Sequence, residues 1–439
     1  MNIGIVGAGW AGLAAAHTLH QTGHKVTVYE AAREYGGRAR RVWSEALDNH
    51  LDNGQHVMLG AYTQSLALMR ELGVDPRQAL VRCALHLETA DGHFRFKVPD
   101  RSWAGLEKLV AITGARGWRL RDKLNLVRGL VQIMRYQGSQ ENKTLQTWLE
   151  QHGQTNTVVN TFWTPLCIAA LNTLPADADA AMMARVLRDS LTGAPGTADI
   201  LIARHTLSDL WANALAQRLE IKTSCAIRRL TCDSVGYVLN GQWAHDALVV
   251  ATPPNVASKL LRDLPSDSAK QKTNWLSELD AFEFAPIATA TFKLATNWRQ
   301  PPPPMLMLNE HTDRDHTGQW LFVRPAPNTA GQWLACVVIS QATALVGADK
   351  MQVLDHLTEQ VVDQTRRFGP MPRIVGRTLL NEKRATFVAR PGLKRPLNET
   401  LWPRLVVAGD WTQTGYPAVL EGAVRSGLKA AAILNQNAA

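Results

Sequence analysis

Two glycine-rich runs at opposite ends of the chain, each with an acid attached, carry the chemistry most open to reading. The first is "IVGAGWAGL", with Gly7, Gly9 and Gly12, followed by a second apolar segment that ends in Glu30. In this spacing the first glycine permits a tight turn, the second lets the backbone approach a pyrophosphate, and the third lets a helix pack closely on a strand. A carboxylate in the position of Glu30 can accept from the hydroxyls of a ribose. The flanking pattern agrees: a short apolar strand over residues 3–6, an Ala/Leu-rich helix, and a second strand over residues 25–29. Strand, turn, helix, strand and acid together point to a dinucleotide, without separating nicotinamide from flavin.

The second run, "GDWTQTGYPAVLEGAVRSG", occupies residues 409–427. It reads as a strand end, a tight loop and a helix start, with Pro417 in the first helical turn. A helix N-terminus carries unpaired N–H groups and a partial positive charge, which seats an anion or an electron-rich ring edge. Taken alone, the run equally describes a C-terminal helix with a glycine-containing lead-in loop. Close behind Glu30 comes "REYGGRAR", where Gly36 and Gly37 can expose backbone N–H groups and Arg38 can neutralise phosphate or hold a ring edge. Arg40 and Arg41 read as a solvated turn. In "LDNGQHVMLGAY" the Asp-Asn-Gly centre is turn chemistry, and Gln55 and His56 are its informative residues.

These groups need elements large enough to hold them. A chain of 439 residues, 46% hydrophobic, can bury sizeable cores and should form two or more lobes. Its 47 basic and 38 acidic residues give a net charge of +9, which suggests an anionic surface as partner. The basic residues are scattered without a nucleic-acid module, so a nucleic-acid partner is not expected. The five cysteines, at 83, 167, 225, 232 and 336, form no metal-type pair and read as reduced cytosolic thiols, so no metal is expected. The N-terminus lacks a signal-peptide pattern, and no stretch is apolar for long enough to span a bilayer. A cytoplasmic protein, soluble or peripheral on the inner face of the cell membrane, is expected. Residues 104–136 look helical, with Leu120, Leu124, Val127, Leu130, Val131 and Met134 among Arg119, Arg121, Lys123, Arg128 and Arg135. This element is either amphipathic on an anionic bilayer or core-facing with a basic solvated face, and Asp122 and Gly129 weigh against the bilayer. "DALVVATPP" reads as a buried strand with a Pro-Pro turn, and "SCAIRRL" as another strand.

The Gly36–Gly37–Arg38 extension resembles that of the amine oxidase and phytoene desaturase flavoproteins. "FWTPLCIAALNT" followed by "RVLRDSL" resembles, more narrowly, the squalene-associated FAD-dependent desaturases, understood as hydroxysqualene dehydroxylases of bacterial hopanoid pathways. "NEKRATFVARPG" and the run at 409–427 match the same family. The resemblance implies an α/β fold, a Rossmann-like FAD-binding domain of the glutathione-reductase ββα type with an inserted mixed α+β substrate domain. It places FAD-binding segments at 1–75, 211–265 and 381–439, a mainly helical substrate or membrane-facing region at 76–210, and a substrate domain at 266–380. FAD would meet Gly7, Gly9, Trp10, Ala11, Gly12 and Glu30 at the first turn, and Gly36, Gly37 and Arg38 beside the pyrophosphate. Gln55 and His56 would pass near the flavin, and Ile227 near adenine. Gly409 and Asp410 would reach ribityl or pyrophosphate oxygens, and Pro417, Ala418, Glu421, Gly422 and Ala423 would bring a helix N-terminus to the flavin. Two positions depart from the pattern: Trp411 stands where many relatives have Tyr, and "LFVRPA" lacks an acid before Arg324.

The reaction this implies is reduction of a C30 allylic alcohol, hydroxysqualene, to squalene, with hydride from reduced FAD and loss of water. Hydroxide leaves poorly, so an acid is required. Asp189 or His56 is the candidate, with Arg185 or Arg188 to orient it, although Asp189 could equally close a helical ion pair with Arg185. The partners expected are a lipophilic C30 isoprenoid, an unidentified electron donor, an anionic membrane surface and the synthases of the squalene pathway. Two alternatives stand beside this reading: an oxidative polyene desaturase or amine oxidase on the same scaffold, and a non-enzymatic flavin-binding lipid carrier.

Overall fold

The computed structural model describes residues 1–99, 107–138, 142–233, 235–327 and 329–436. The apolar strand Asn2–Val6 lies at the centre of a five-stranded parallel sheet. Lys25–Tyr29 pairs on one side of it and Ala247–Val250 on the other, with Glu220–Lys222 and Leu405–Val407 at the edges. Unbroken apolar runs, instead of alternating ones, suit strands covered on both faces. On one face Ile3, Ile5, Val28 and Val249 pack against the helices Trp10–Gln21 and Leu420–Gln436. On the other, Val6, Leu248 and Val250 pack with Leu230, Tyr237 and Leu239 of a three-stranded antiparallel meander. The result is the three-layer ββα arrangement expected for an FAD-binding domain.

A second, antiparallel sheet has the strand order Met305–Met307, Trp320–Pro325, Trp333–Ser340, Phe284–Leu294, Ile374–Phe387. Alternation divides its faces. Ala288, Ala290 and Phe292 join Leu354, Leu357 and Val361 of the helix Lys350–Gln364, while Phe322, Cys336 and Trp320 belong to the large core shared with the first sheet. The inner face of this sheet therefore looks toward the nucleotide-type half.

Three local expectations change. The Ile374–Phe387 strand runs straight through residue 381, so a division at 380/381 would cut one strand in two. Of "SCAIRRL" only Leu230 enters a strand. Ser224 and Cys225 instead donate to Ala32 and Glu30 carbonyls at 2.8 Å each, and the Asn240 side chain takes the N–H groups of Arg228 and Arg229. The helix expected over 104–136, whose first residues lie outside the described ones, is two helices, Glu107–Gly114 and Leu120–Arg135. Between them Gly117 takes φ +85°, in close contact with His93, where a Cβ would stand 2.5 Å from a carbonyl oxygen.

Candidate functional site: a two-ended dinucleotide cleft

Gly7 turns the chain at φ +105°, and a Cβ there would stand 2.7 Å from the Ala251 carbonyl oxygen. A Cβ at Gly12 would meet the Gly7 oxygen at 2.0 Å, whereas one at Gly9 finds only the Gly37 Cα, at 3.8 Å. The Gly36–Gly37 run lies directly over this turn, with Gly36 N–H donating to Ala8 O at 2.8 Å. Glu30, at the end of the second strand, accepts from Ala8 N at 2.8 Å and Ala32 N at 2.9 Å. The 224–227 segment runs alongside, which brings buried Ile227 to the same side. Trp10 and Ala11 are buried in the first helical turn, Trp10 edge-on to Trp211 at 4.7 Å.

The chain ends meet here. A Cβ at Gly427 would stand 2.1 Å from the Ala11 carbonyl oxygen, so the first and last helices cross backbone on backbone. Arg38 donates to buried Asp410 at 2.5 Å and to the Ala385 carbonyl at 2.9 Å. Gly409 N–H donates to Ser426 Oγ at 3.0 Å, and Trp411 donates its indole N–H to Thr252 O at 3.0 Å.

The final helix starts at Leu420, not at Pro417. Pro417 and Ala418 lie in a loop that folds back over Gly422, with Val419 N–H donating to Pro417 O at 2.8 Å. The Glu421 side chain is turned elsewhere: its buried carboxylate accepts from Gln64 N, Ser65 N, Ser65 Oγ and Arg425 Nε, capping the helix Thr63–Glu71. Ala423 N–H is taken by Val419 O at 3.2 Å. One organising residue escaped sequence reading. Arg395, nine-tenths buried, donates to the carbonyls of Asp410, Trp411, Thr412 and Tyr416 and to Thr414 Oγ1, tying down the whole loop. Burial pulls its pKa down to about 10. Nothing in "ARPGLKRP" marks it apart from other basic residues.

His56 shares its surroundings with Arg38 and Glu382. Its Nδ1–H donates to Gly54 O at 2.9 Å, and burial, with Arg38 adding to it, holds the imidazole below the usual histidine range. Gln55 N–H reaches Thr289 Oγ1 of the substrate-lobe sheet at 3.4 Å. Asp189 stands in a different cluster. Its Oδ2 accepts from Arg185 Nε at 3.0 Å and from the Tyr416 hydroxyl, and the Arg185 guanidinium lies 4.7 Å over the Tyr416 ring. Helix Ala180–Leu191 is thereby fastened to the C-terminal loop. Arg188 turns away, donating to Tyr136 O at 2.5 Å, and so does not orient Asp189.

The residues present fit a bound dinucleotide. Gly9 leaves room for close approach, Glu30 follows the second strand, and among the described residues the buried Thr252 hydroxyl has no partner at the C-terminal end of Ala247–Val250, beside Gly7. Ligands of open parallel sheets bind at such strand ends.

This sheet, its two joined glycine runs and the attached antiparallel lobe define a dinucleotide-dependent oxidoreductase of two-domain architecture. The chain belongs to the family of flavin containing amine oxidoreductases, which matches residues 10–435. It is therefore an FAD-dependent oxidoreductase. Hydroxysqualene dehydroxylase of Rhodopseudomonas palustris is 28% identical, covering 97% of this chain and 96% of its own. The protein of the same name from Sinorhizobium fredii is also 28% identical, covering 98% of this chain and 97% of its own. Among solved structures, cyclohexylamine oxidase from Brevibacterium oxydans superposes with a TM-score of 0.70 at 18% identity, over 100% of this chain and 99% of its own.

Proposed function

We propose that this protein reduces hydroxysqualene to squalene, replacing an allylic C–OH by C–H. The observation that carries the reading is likeness to hydroxysqualene dehydroxylases along essentially the full length of both chains, substrate lobe included. Bound FAD supplies, when reduced, the hydride that the carbon takes up. The chain's residues do the rest. Gly7, Gly9, Gly12, Gly36 and Gly37 give the pyrophosphate backbone to lie on, Glu30 accepts from ribose, and Arg38 and Asp410 close the cleft between the two ends of the chain. His56, uncharged at neutral pH, positions instead of protonating, since an acid must hold its proton. Asp189 and Arg185 hold the helical region against the loop through Tyr416.

An anionic membrane surface is the source from which so apolar a substrate would be drawn. Helix Leu120–Arg135 supports this: Leu120, Leu124 and Val131 are 73%, 58% and 39% exposed, flanked by exposed Arg121, Arg128 and Arg135. Asp122 and Gly129, the two residues adverse to an amphipathic face, are both buried on its inner side. Asp122 caps the helix through Arg119 N–H, and Gly129 packs on the Gln154 amide. No helix among the described residues is long and apolar enough to cross a membrane.

Anaerobic incubation of the reduced holoenzyme with hydroxysqualene tests the reaction. Squalene formed stoichiometrically with flavin oxidation is the expected result. Binding without product would replace the enzyme by a lipid carrier, and formation of new double bonds by the oxidised enzyme would replace it by a desaturase.

A further inference from the structure

The reaction needs a proton for the departing oxygen, and the structure holds a carboxyl suited to it outside the Asp189 cluster. Asp52 ends the strand Asn49–Asp52, immediately before the turn that carries Gln55 and His56. Its Oδ1 accepts from Leu207 N at 2.7 Å, and among the described residues its other oxygen takes no hydrogen bond. Facing it from the substrate-lobe sheet is Arg324, 8% exposed. Arg324 Nη1 makes two long contacts, to Arg204 O at 3.5 Å and His205 O at 3.4 Å, its guanidinium also approaches the Cys336 thiol, and among the described residues its Nε is buried without a partner. A buried guanidinium with a donor unspent is costly unless something polar comes to meet it. Asp52 lies beyond ion-pair distance of Arg324 but within its electrostatic reach, so the two can share a polar group placed between them.

Arg324 lies on the inner face of the sheet, on the same side as Trp320 and Phe322 of the shared core. Phe322, two residues before Arg324, pairs with Met305, which with Ile200, Ile202, Cys83, His86 and Lys97 lines a cavity of about 220 Å³. The chain that follows Ile200–Ala203 supplies the two carbonyls under Arg324. Cys336 completes the group, receiving a contact from Thr291 Oγ1 at 3.7 Å and feeling both Arg324 and Asp52. A polar group set among Phe322, Trp320 and the rest of the shared core suits an alcohol carried on a long hydrocarbon.

We propose that Asp52 donates the proton to the departing hydroxyl oxygen and that Arg324 holds that oxygen. The assignment rests on the dehydroxylation reading. The C–O bond breaks with its electron pair going to oxygen, and the Asp52 O–H breaks as the second O–H of water forms. The carbon takes a hydride, with two electrons, from the reduced cofactor. Asp52 is left as a carboxylate beside Arg324 and regains its proton from solvent. Burial pushes the Asp52 carboxyl up to about 7; the Leu207 N–H and Arg324 oppose the shift, and the Asp209 carboxylate adds to it. Near-neutral acidity is the range in which general acids work best.

Anaerobic single turnover of reduced holoenzyme with hydroxysqualene, followed against pH, tests this in the parent and in Asp52→Asn, Asp52→Glu and Arg324→Gln. In the parent the rate should fall as pH rises through the Asp52 pKa. Asp52→Asn should slow turnover by about 100-fold or more and abolish that limb, with FAD content retained. Asp52→Glu should restore part of the rate and a displaced limb. Arg324→Gln should move the limb to higher pH, because it removes a charge that lowers the Asp52 pKa. Independently of turnover, the infrared carboxyl band of the oxidised holoenzyme should titrate near neutrality in the parent and be missing from Asp52→Asn. An Asp52→Asn enzyme with the parent's rate and pH limb overturns the assignment alone. A parent that forms no squalene overturns the reaction and the assignment with it.

Discussion

Arg38 and Asp410, 372 positions apart in the chain, meet at 2.5 Å. Each belongs to one glycine-rich run, so this ion pair is the point where the two halves of the cofactor cleft are joined. Asp410 is buried, and removing Arg38 would leave its charge without its ion-pair partner, with only the more distant Arg395 guanidinium to offset it. Arg38→Met should therefore weaken FAD retention by roughly 3 kcal/mol, the low end for breaking a buried pair, or more than 100-fold in Kd. Flavin remaining after dialysis, measured by absorbance, checks this. Asp410→Asn should do the same, and a double variant no worse than either single one would show that the two act as a pair.

Arg395 should matter to stability as much as any core residue, although it touches no carboxylate. Its guanidinium meets four carbonyls of the 410–416 loop, and Arg395→Met would leave those of Asp410, Trp411 and Tyr416 without it in a buried place, Thr412 O keeping the Thr414 N–H. Each buried acceptor left alone costs about 1–3 kcal/mol, so the variant should melt several degrees lower and lose FAD. Lysine cannot replace the planar fork and should recover little. A melting curve and flavin content matching the parent would show that the loop holds itself.

What the sequence disclosed, and what it hid, follows from the range of the interactions. Gly7, Gly9 and Gly12 were legible because a glycine's backbone role is set within a few residues. The pairing of Arg38 with Asp410 was not, although both residues stood out, because contact across the whole chain leaves no local trace. Asp52 was read as turn chemistry, since its partner Arg324 lies on a strand of the other lobe. Pro417 was placed in the helix by local preference, but packing of residues 414–417 over Gly422 delays the helix to Leu420. Residues 224–229 have strand-like composition, yet their N–H groups go to the Glu30–Ala32 loop and to Asn240. Asp122 and Gly129 looked adverse to an amphipathic face only while their direction was unknown.

The outer face of the Leu120–Arg135 helix gives a prediction in lipid. The exposed Leu120, Leu124 and Val131 supply apolar contact, and Arg121, Arg128 and Arg135 supply charge. The holoenzyme should float with anionic vesicles at low salt and dissociate as salt rises, at about 1 kcal/mol for each basic residue near the surface. Replacing Leu120 and Leu124 by Ser should reduce flotation while leaving FAD content intact. Equal absence from neutral and anionic lipid fractions would remove this surface from the account.

Asp52 should also shape stability against pH. Its folded-state pKa of about 7 lies above the ordinary aspartate value of 3.8. Below the lower value both states hold the proton and the group contributes nothing to the slope. Between the two, the folded protein keeps a proton that the unfolded chain releases, so stability falls as pH rises, by about 1.4 kcal/mol per unit. The full penalty, up to about 4 kcal/mol, is present above the folded pKa. Asn at this position keeps an oxygen for Leu207 N–H and carries no charge. Asp52→Asn should therefore melt close to the parent only at about pH 4 and increasingly above it as pH rises, the gap reaching its full size near the folded pKa of about 7. Bound FAD must be held saturating throughout, because ligand binding shifts the melting temperature by mass action. A gap that stays constant across the range would place the Asp52 pKa at an ordinary carboxylate value.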